Sequence, residues 1–182
     1  FSNQQTLGKN PSFVENQGAR GYPENARLMK GGVAFITAHV VGSKNNFDPM
    51  SKSNTMEYFE RDAANIDWVT ESFKKYEYAS AFVVAIHADM WTSPAPHFHR
   101  FSNALYELSN KHEKPVLVLF GDSHMFRVFQ PMPEKYPLIN AIEVFGYPDL
   151  KAIEVEVDPS KKTPFNVIKI ISNGIISNGI KN

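Results

Sequence analysis

The chain has 182 residues, enough for one core of ordinary domain size and too few for a second independent one. Apolar residues make up 42% and aromatics 13%, which excludes global disorder; Lys plus Arg and Asp plus Glu balance at 19 each, so bulk charge gives no reason to bind nucleic acid or an acidic membrane surface. Without cysteine there is no disulfide, thiolate nucleophile or thiolate metal site, the redox compartment stays open, and any metal must be held by imidazole, carboxylate, amide or water.

No apolar run approaches the roughly 20 residues that cross a bilayer, and no basic and apolar leader precedes Phe1. A soluble chain with no transmembrane segment is expected, and a start at Phe1 fits a processed or secreted form or a fragment whose upstream part is not shown. Residues 1–31 are polar and turn-rich and lack either periodicity, which predicts an extended, wrapping segment. Gly32 to Val41 is β-branched, aromatic and almost continuously apolar, the pattern of a strand buried on both faces. After a loop over 42–54, Asn54 and Glu57 form a capping start for a helix in which Phe59, Ala63, Ile66, Val69 and Phe73 recur at helical spacing to about Tyr76.

Ala79 to His87 reads as a second buried strand, 90–100 as a proline-containing loop, 101–113 as a second helix and Val116 to Phe120 as a third strand. After Gly121 the segments 125–130, 140–145, 152–157 and 165–171 are short, some with period-two alternation, and read as antiparallel strands. The end carries a tandem ISNGI repeat. Its Asn-Gly turns predict a turn-rich tail over 171–182, with an edge hairpin as the other reading. The main domain is then 32–170, an α/β arrangement whose ligands gather at the carboxyl ends of its strands.

Two such ends carry metal-binding chemistry. His87 with Asp89 follows the second strand, and Asp122 with His124 follows the third, after a glycine that permits a sharp turn. A lone histidine at a strand end is usually a hydrogen-bonded structural residue, so the repetition at a neighbouring strand gives the pattern its weight. His97 and His99 follow Pro94 and Pro96 without a strand to fix them, so a surface loop explains them better than a chelating pair or a substrate-contacting loop does. His39 reads as a satisfied core residue, and Trp68 and Trp91 as packing.

A buried strand ending in His, followed later by Gly-X-X-His, resembles the C-terminal part of the calcineurin-like metallophosphoesterases. Further likeness lies in Tyr22 to Arg27 (YPENAR), His39 to Asn46 (HVVGSKNN), Gly121 to Arg127 (GDSHMFR) and Phe145 to Pro148 (FGYP), so it runs from about Gly21 to about Val167. It implies a metallophosphoesterase-like α/β sandwich with mixed sheets, of which this chain is the C-terminal portion. It also implies metal ligation by His87, Asp122 and His124, two divalent ions (Mn, Mg, Fe or Zn) and a small phosphoester substrate, with second-tier substrate contacts from His97, Arg100 and Asn46.

Where the family has Gly-His-X-His this chain has Gly-Asp-Ser-His, and the harder carboxylate of Asp122 shifts metal preference toward Mg²⁺, Mn²⁺ or Ca²⁺. The family's Asp-X-His motif, bridging Asp and Asn-His pair do not occur before His87. The expectation is therefore half a dimetal site, inactive alone, completed by a missing N-terminal half or by another chain. The rival expectation is a structural or assembly protein that keeps the fold without the metals, and a third is a metal-free sugar- or small-ligand-binding domain with its pocket near Trp91 and His97.

Overall fold

A computed structural model describes residues 5–6, 9–92, 96–149, 151–172 and 175–178, with side chains as far as 167. It is a mixed α/β structure in three layers. The large sheet has seven strands in the order β1-β2-β3-β4-β5-β7-β6: β1 Glu15–Gln17, β2 Tyr22–Lys30, β3 Val33–Thr37, β4 Ala81–Ala85, β5 Val116–Phe120, β6 Arg127–Phe129 and β7 Ile139–Glu143. Strands β3, β4, β5 and β7 run parallel, with β2 and β6 antiparallel on either side.

Helices α1 (Lys52–Lys75) and α2 (Pro96–His112) make the β3-β4 and β4-β5 crossovers. Crossovers of this kind are right-handed, and here the sheet grows in one direction, so both helices land on the same face. There Phe73, Trp68, Phe101 and Leu105 pack on Ile36, Phe82, Val84 and Val118. The opposite face is covered by a three-stranded antiparallel sheet of β8 (Lys151–Val157), β9 (Phe165–Ser172) and β10 (Ile175–Asn178). Along β8 exposed residues alternate with half-buried ones, and Ile153, Val155 and Val157 with Phe165 and Val167 pack on Val83, Leu117 and Ile142.

The three buried strands lie where apolar content predicts them, but four expectations are corrected. Residues 1–31 are more than a wrapping segment: 15–17 and 22–30 are strands of the large sheet, polar because one edge is open and because Asn25 and Arg27 are buried through side-chain pairing. β7 is parallel to β5, a distinction that period-two alternation cannot make. The residues 175–178 pair antiparallel with β9 where a loose tail was expected, while 173–174 and 179–182 lie outside the described residues. Helix α2 begins at Pro96, inside the expected loop, since proline's fixed φ suits the first helical turn.

α1 also differs from its expected face. Ser51, not Asn54, caps it, its hydroxyl accepting from the Asn54 N–H at 3.3 Å. Phe59 is 48% exposed and Ala63 faces solvent, whereas Arg61, Asp62 and Asn65 are buried with Trp68, Val69 and Phe73. Hydrogen bonds rotate the helix: Arg61 Nη1 donates to the His39 carbonyl at 2.9 Å and to Asn45 Oδ1 at 2.7 Å, and Asn65 accepts from Asn25 at 2.8 Å. The helix-sheet contact is centred on Phe73 and Phe82, both without exposed surface, whose rings stack with centroids 3.8 Å apart. Phe82→Ala is expected to lower unfolding free energy by about 3–5 kcal/mol, measured by equilibrium denaturation.

Candidate functional site

The carboxyl ends of β3, β4, β5 and β7 open onto one edge, and backbone bonds knit the exits together. The N–H groups of His87 and Ala88 donate to the Val40 carbonyl, and Gly121 N–H donates to the His87 carbonyl. Beyond β3 the chain makes a short helical turn, Gly42–Asn45, that is left-handed: Ser43, Lys44, Asn45 and Asn46 have φ of 50, 62, 54 and 60°. Each non-glycine residue there costs roughly 1–2 kcal/mol. Asn45, fully buried, offsets this by accepting from Arg61 through both its side chain and its carbonyl.

This turn sets what His87 and Asp122 meet. Gly42 N–H donates to His87 Nδ1 at 3.1 Å, and the Asp122 carboxylate lies so close that a Cβ on Gly42 would stand 2.8 Å from Oδ1. Asp122, held at φ 87°, also accepts from Asp89 N–H at 3.3 Å. His87 and Asp122 therefore converge at Gly42. His124 turns instead toward the segment after β7: its ring packs on Gly146, and Nδ1 lies 2.9 Å from the Tyr147 carbonyl.

The hydrogen bonds decide which ring nitrogens can meet a metal. A carbonyl only accepts, so His124 Nδ1 donates, and in the neutral ring Nε2 keeps a lone pair, as in a metal-bound imidazole oriented by a carbonyl. At His87 the bond runs the other way: Nδ1 accepts from Gly42, the neutral ring carries its proton on Nε2, and neither nitrogen offers a lone pair. His124 thus keeps a ring nitrogen able to ligate, and His87 as held does not. Among the described residues no group of three or more His, Asp or Glu is arranged to hold a metal.

Two partners of this edge have little sequence signature. Glu143, wholly buried at the end of β7, accepts from Ser123 N–H at 2.8 Å and from Arg127 Nε at 2.8 Å, and Arg127 Nη2 reaches both Glu143 and, at 2.7 Å, Asp89. Arg127 also reaches the Thr92 hydroxyl. Burial pushes the Asp89 carboxyl upward, but hydrogen bonds from Thr92, the Trp91 backbone and Arg127 outweigh it and hold the group below its ordinary range. The Arg127 guanidinium thus ties the exits of β4 and β7, and the Glu143 carboxylate adds that of β5. The available signal was a lone Glu inside the otherwise apolar run 141–145, since a buried charge needs a partner.

The second-tier residues gather around the left-handed turn. His97, in the first turn of α2, stacks on Phe47 with centroids 4.9 Å apart, and its carbonyl accepts from Tyr58 at 3.1 Å; burial and the charge of Lys44 lower its pKa. Asn46 donates to Glu57 at 2.7 Å and, with His39, Gly42 and Arg61, lines a cavity of about 300 Å³. His39 lies past the end of β3 and is 38% exposed, so it is not the core residue expected. Trp91 packs as expected, its Nε1 donating to Tyr106 at 2.8 Å.

Arg100 Nη1 approaches the fully buried Asp62 to 3.2 Å, yet neither Asp62 oxygen makes an aligned hydrogen bond. Burial raises the Asp62 pKa against the opposing charges of Arg100 and Arg61. Compared with known proteins, the chain matches no family model, no curated protein and no solved structure. The likeness to metallophosphoesterases rests on the residues quoted above.

Arg127→Met leaves Glu143 and Asp89 without their cation and is expected to cost about 3–5 kcal/mol, with most of the loss recovered when Glu143→Leu is added; chemical denaturation of both variants checks this. For Asp62 the folded pKa lies above the unfolded one, so the stability it contributes is present below the unfolded pKa and is lost as pH rises through the folded one. Asp62→Asn should then match or exceed the parent in Tm at pH 7 and flatten the Tm–pH curve above the ordinary carboxylate range. A lower Tm at pH 7 would mean that the Arg100 pair outweighs burial.

Proposed function

We propose that this chain belongs to a phosphoester-hydrolysing protein of metallophosphoesterase type and supplies part of its site, with Asp122 and His124 as donors to a divalent cation. The remaining donors come from a segment or chain beyond those described. The carrying observation is that a carboxylate and two imidazoles leave adjacent parallel strands at the carboxyl edge, where α/β proteins bind ligands, with His87 and Asp122 meeting at Gly42. A pair of such ions, when bound, would supply a hydroxide to attack phosphorus and stabilise charge on the attacking and leaving oxygens.

The residues of this chain have narrower tasks. The Tyr147 carbonyl orients His124, and Arg127 with Glu143 fixes the loops that carry Asp89 and Ser123. Asn46, His97 and Arg100 flank the approach beside the left-handed turn as second-tier contacts. Two observations favour a second reading, an assembly protein that retains the architecture without metals: the Nδ1 lone pair of His87 is occupied by Gly42, and Asp89 is neutralised by Arg127.

Metal analysis combined with turnover separates the two. The chain alone, in Mn²⁺, should bind at most one equivalent and turn over p-nitrophenyl phosphate negligibly. The protein including any upstream region should bind about two ions, hydrolyse p-nitrophenyl or bis-p-nitrophenyl phosphate, and lose roughly 100-fold or more in kcat on His124→Ala. A longer protein free of metal and of turnover would overturn the phosphoesterase reading and favour the assembly one.

A further inference from the structure

On the face of the large sheet away from the helices, a cleft of about 390 Å³ lies between β5-β7-β6 and β9. Leu117 and Ile142 contribute its floor, and Phe126 and Phe165 its apolar walls. The volume falls within the range of small-molecule sites, roughly 300–1,000 Å³. It runs along the sheet face from Leu117 and Asn140, near the amino ends of β5 and β7, toward Phe126 near the carboxyl edge, whereas His87 and Asp122 are not among its lining residues.

Asn140 is out of place on this surface. It shares a face with the buried Ile142 and pairs in register with Leu117, so strand alternation turns it inward, where an aliphatic residue would ordinarily stand. Its side-chain amide has no hydrogen-bond partner among the described residues. Strand β6 covers only Ala141 to Glu143 of β7, so the position beside Asn140 is not filled by a strand residue. On the opposite wall Phe165 and Val167 face the cleft, and alternation turns Asn166 between them to the outer face, so Asn140 is the amide that the cleft presents.

The chemistry around this amide narrows the occupant. Among the described residues the cleft offers no uncommitted charge: by the same alternation the Arg127 side chain points to the helix side, where Glu143 and Asp89 hold it. Phe126 is stacked on Phe145 with centroids 4.8 Å apart and planes 13° apart, which holds a flat apolar surface in position. An amide side chain carries one acceptor and one donor group side by side.

We infer that this cleft is a binding site for an uncharged planar heterocycle that presents adjacent N–H and C=O groups, of the lactam or nucleobase-edge type, paired by Asn140 and packed against Phe126. This assignment is independent of phosphoester chemistry.

The test is a titration of ¹⁵N-labelled protein with uracil, followed by amide chemical shifts, with benzoate and benzene as charged and purely apolar controls. Uracil should give saturable shifts in 117, 126–128, 140–142 and 165–167, with Kd on the order of 1 mM, as befits a ligand of its size. Asn140→Leu and the near-isosteric Asn140→Asp, each verified as folded by circular dichroism, should each weaken uracil at least tenfold. The inference is overturned if uracil at about 10 mM produces no saturable shift or shifts only residues around His87 and Gly42. It is equally overturned if both variants bind as the parent does, or if benzene or benzoate binds as well as uracil, which would leave an apolar void only.

Discussion

A carboxylate with no exposed surface at the end of a central parallel strand, Glu143, is the constraint on which the carboxyl edge depends. Unpaired, it would cost far more than a domain of this size can spare. Arg127 answers it and, with the donors left over, reaches Asp89 and Thr92 on the loop beyond β4, while the Glu143 carboxylate also takes the Ser123 N–H beyond β5. Three exits from the sheet are thereby held by one charge pair, which anchors the loop between Asp122 and His124 through Ser123.

The neighbouring exit, after β3, is governed in the same way by Arg61. Its guanidinium reaches the His39 carbonyl and both polar ends of Asn45, and these bonds hold a left-handed run that non-glycine residues otherwise avoid. The turn brings Gly42 against His87 and Asp122, where even a methyl group would collide with the carboxylate. The tautomer of His87, and with it its fitness as a metal ligand, is thus set by an arginine on a helix distant in sequence.

Much of the architecture was legible from composition alone. Strands β3, β4 and β5 are runs of Val, Ile, Phe and Leu too apolar to be anything but central, and β8 alternates apolar with exposed residues so regularly that its one-sided burial follows. What escaped depends on pairing at long sequence separation. β2 is polar because Asn25 and Arg27 are satisfied by Gln17, Glu15 and the helix above; α1 turns toward Arg61 and Asn65 because buried hydrogen bonds outweigh a weak apolar stripe. At the candidate site, spacing identified which donor types stand at the strand exits. It carried no information on which imidazole nitrogen holds the proton, since that is decided by Gly42 and Tyr147.

The order of strands at the far side of the large sheet also bears on assembly. The chain leaves β5, makes β6, and only then returns to lay β7 in the gap between them, so β6 is a flange with nothing to bond to until its successor arrives. Arg127 rides on that flange and Glu143 on the late-arriving strand, which makes their union the closing clasp of the sheet. The segment bearing Asp122 and His124 runs from β5 to that flange, and through Ser123 it is fastened to the same carboxylate, so the last strand laid in the sheet anchors a loop that precedes it in the chain.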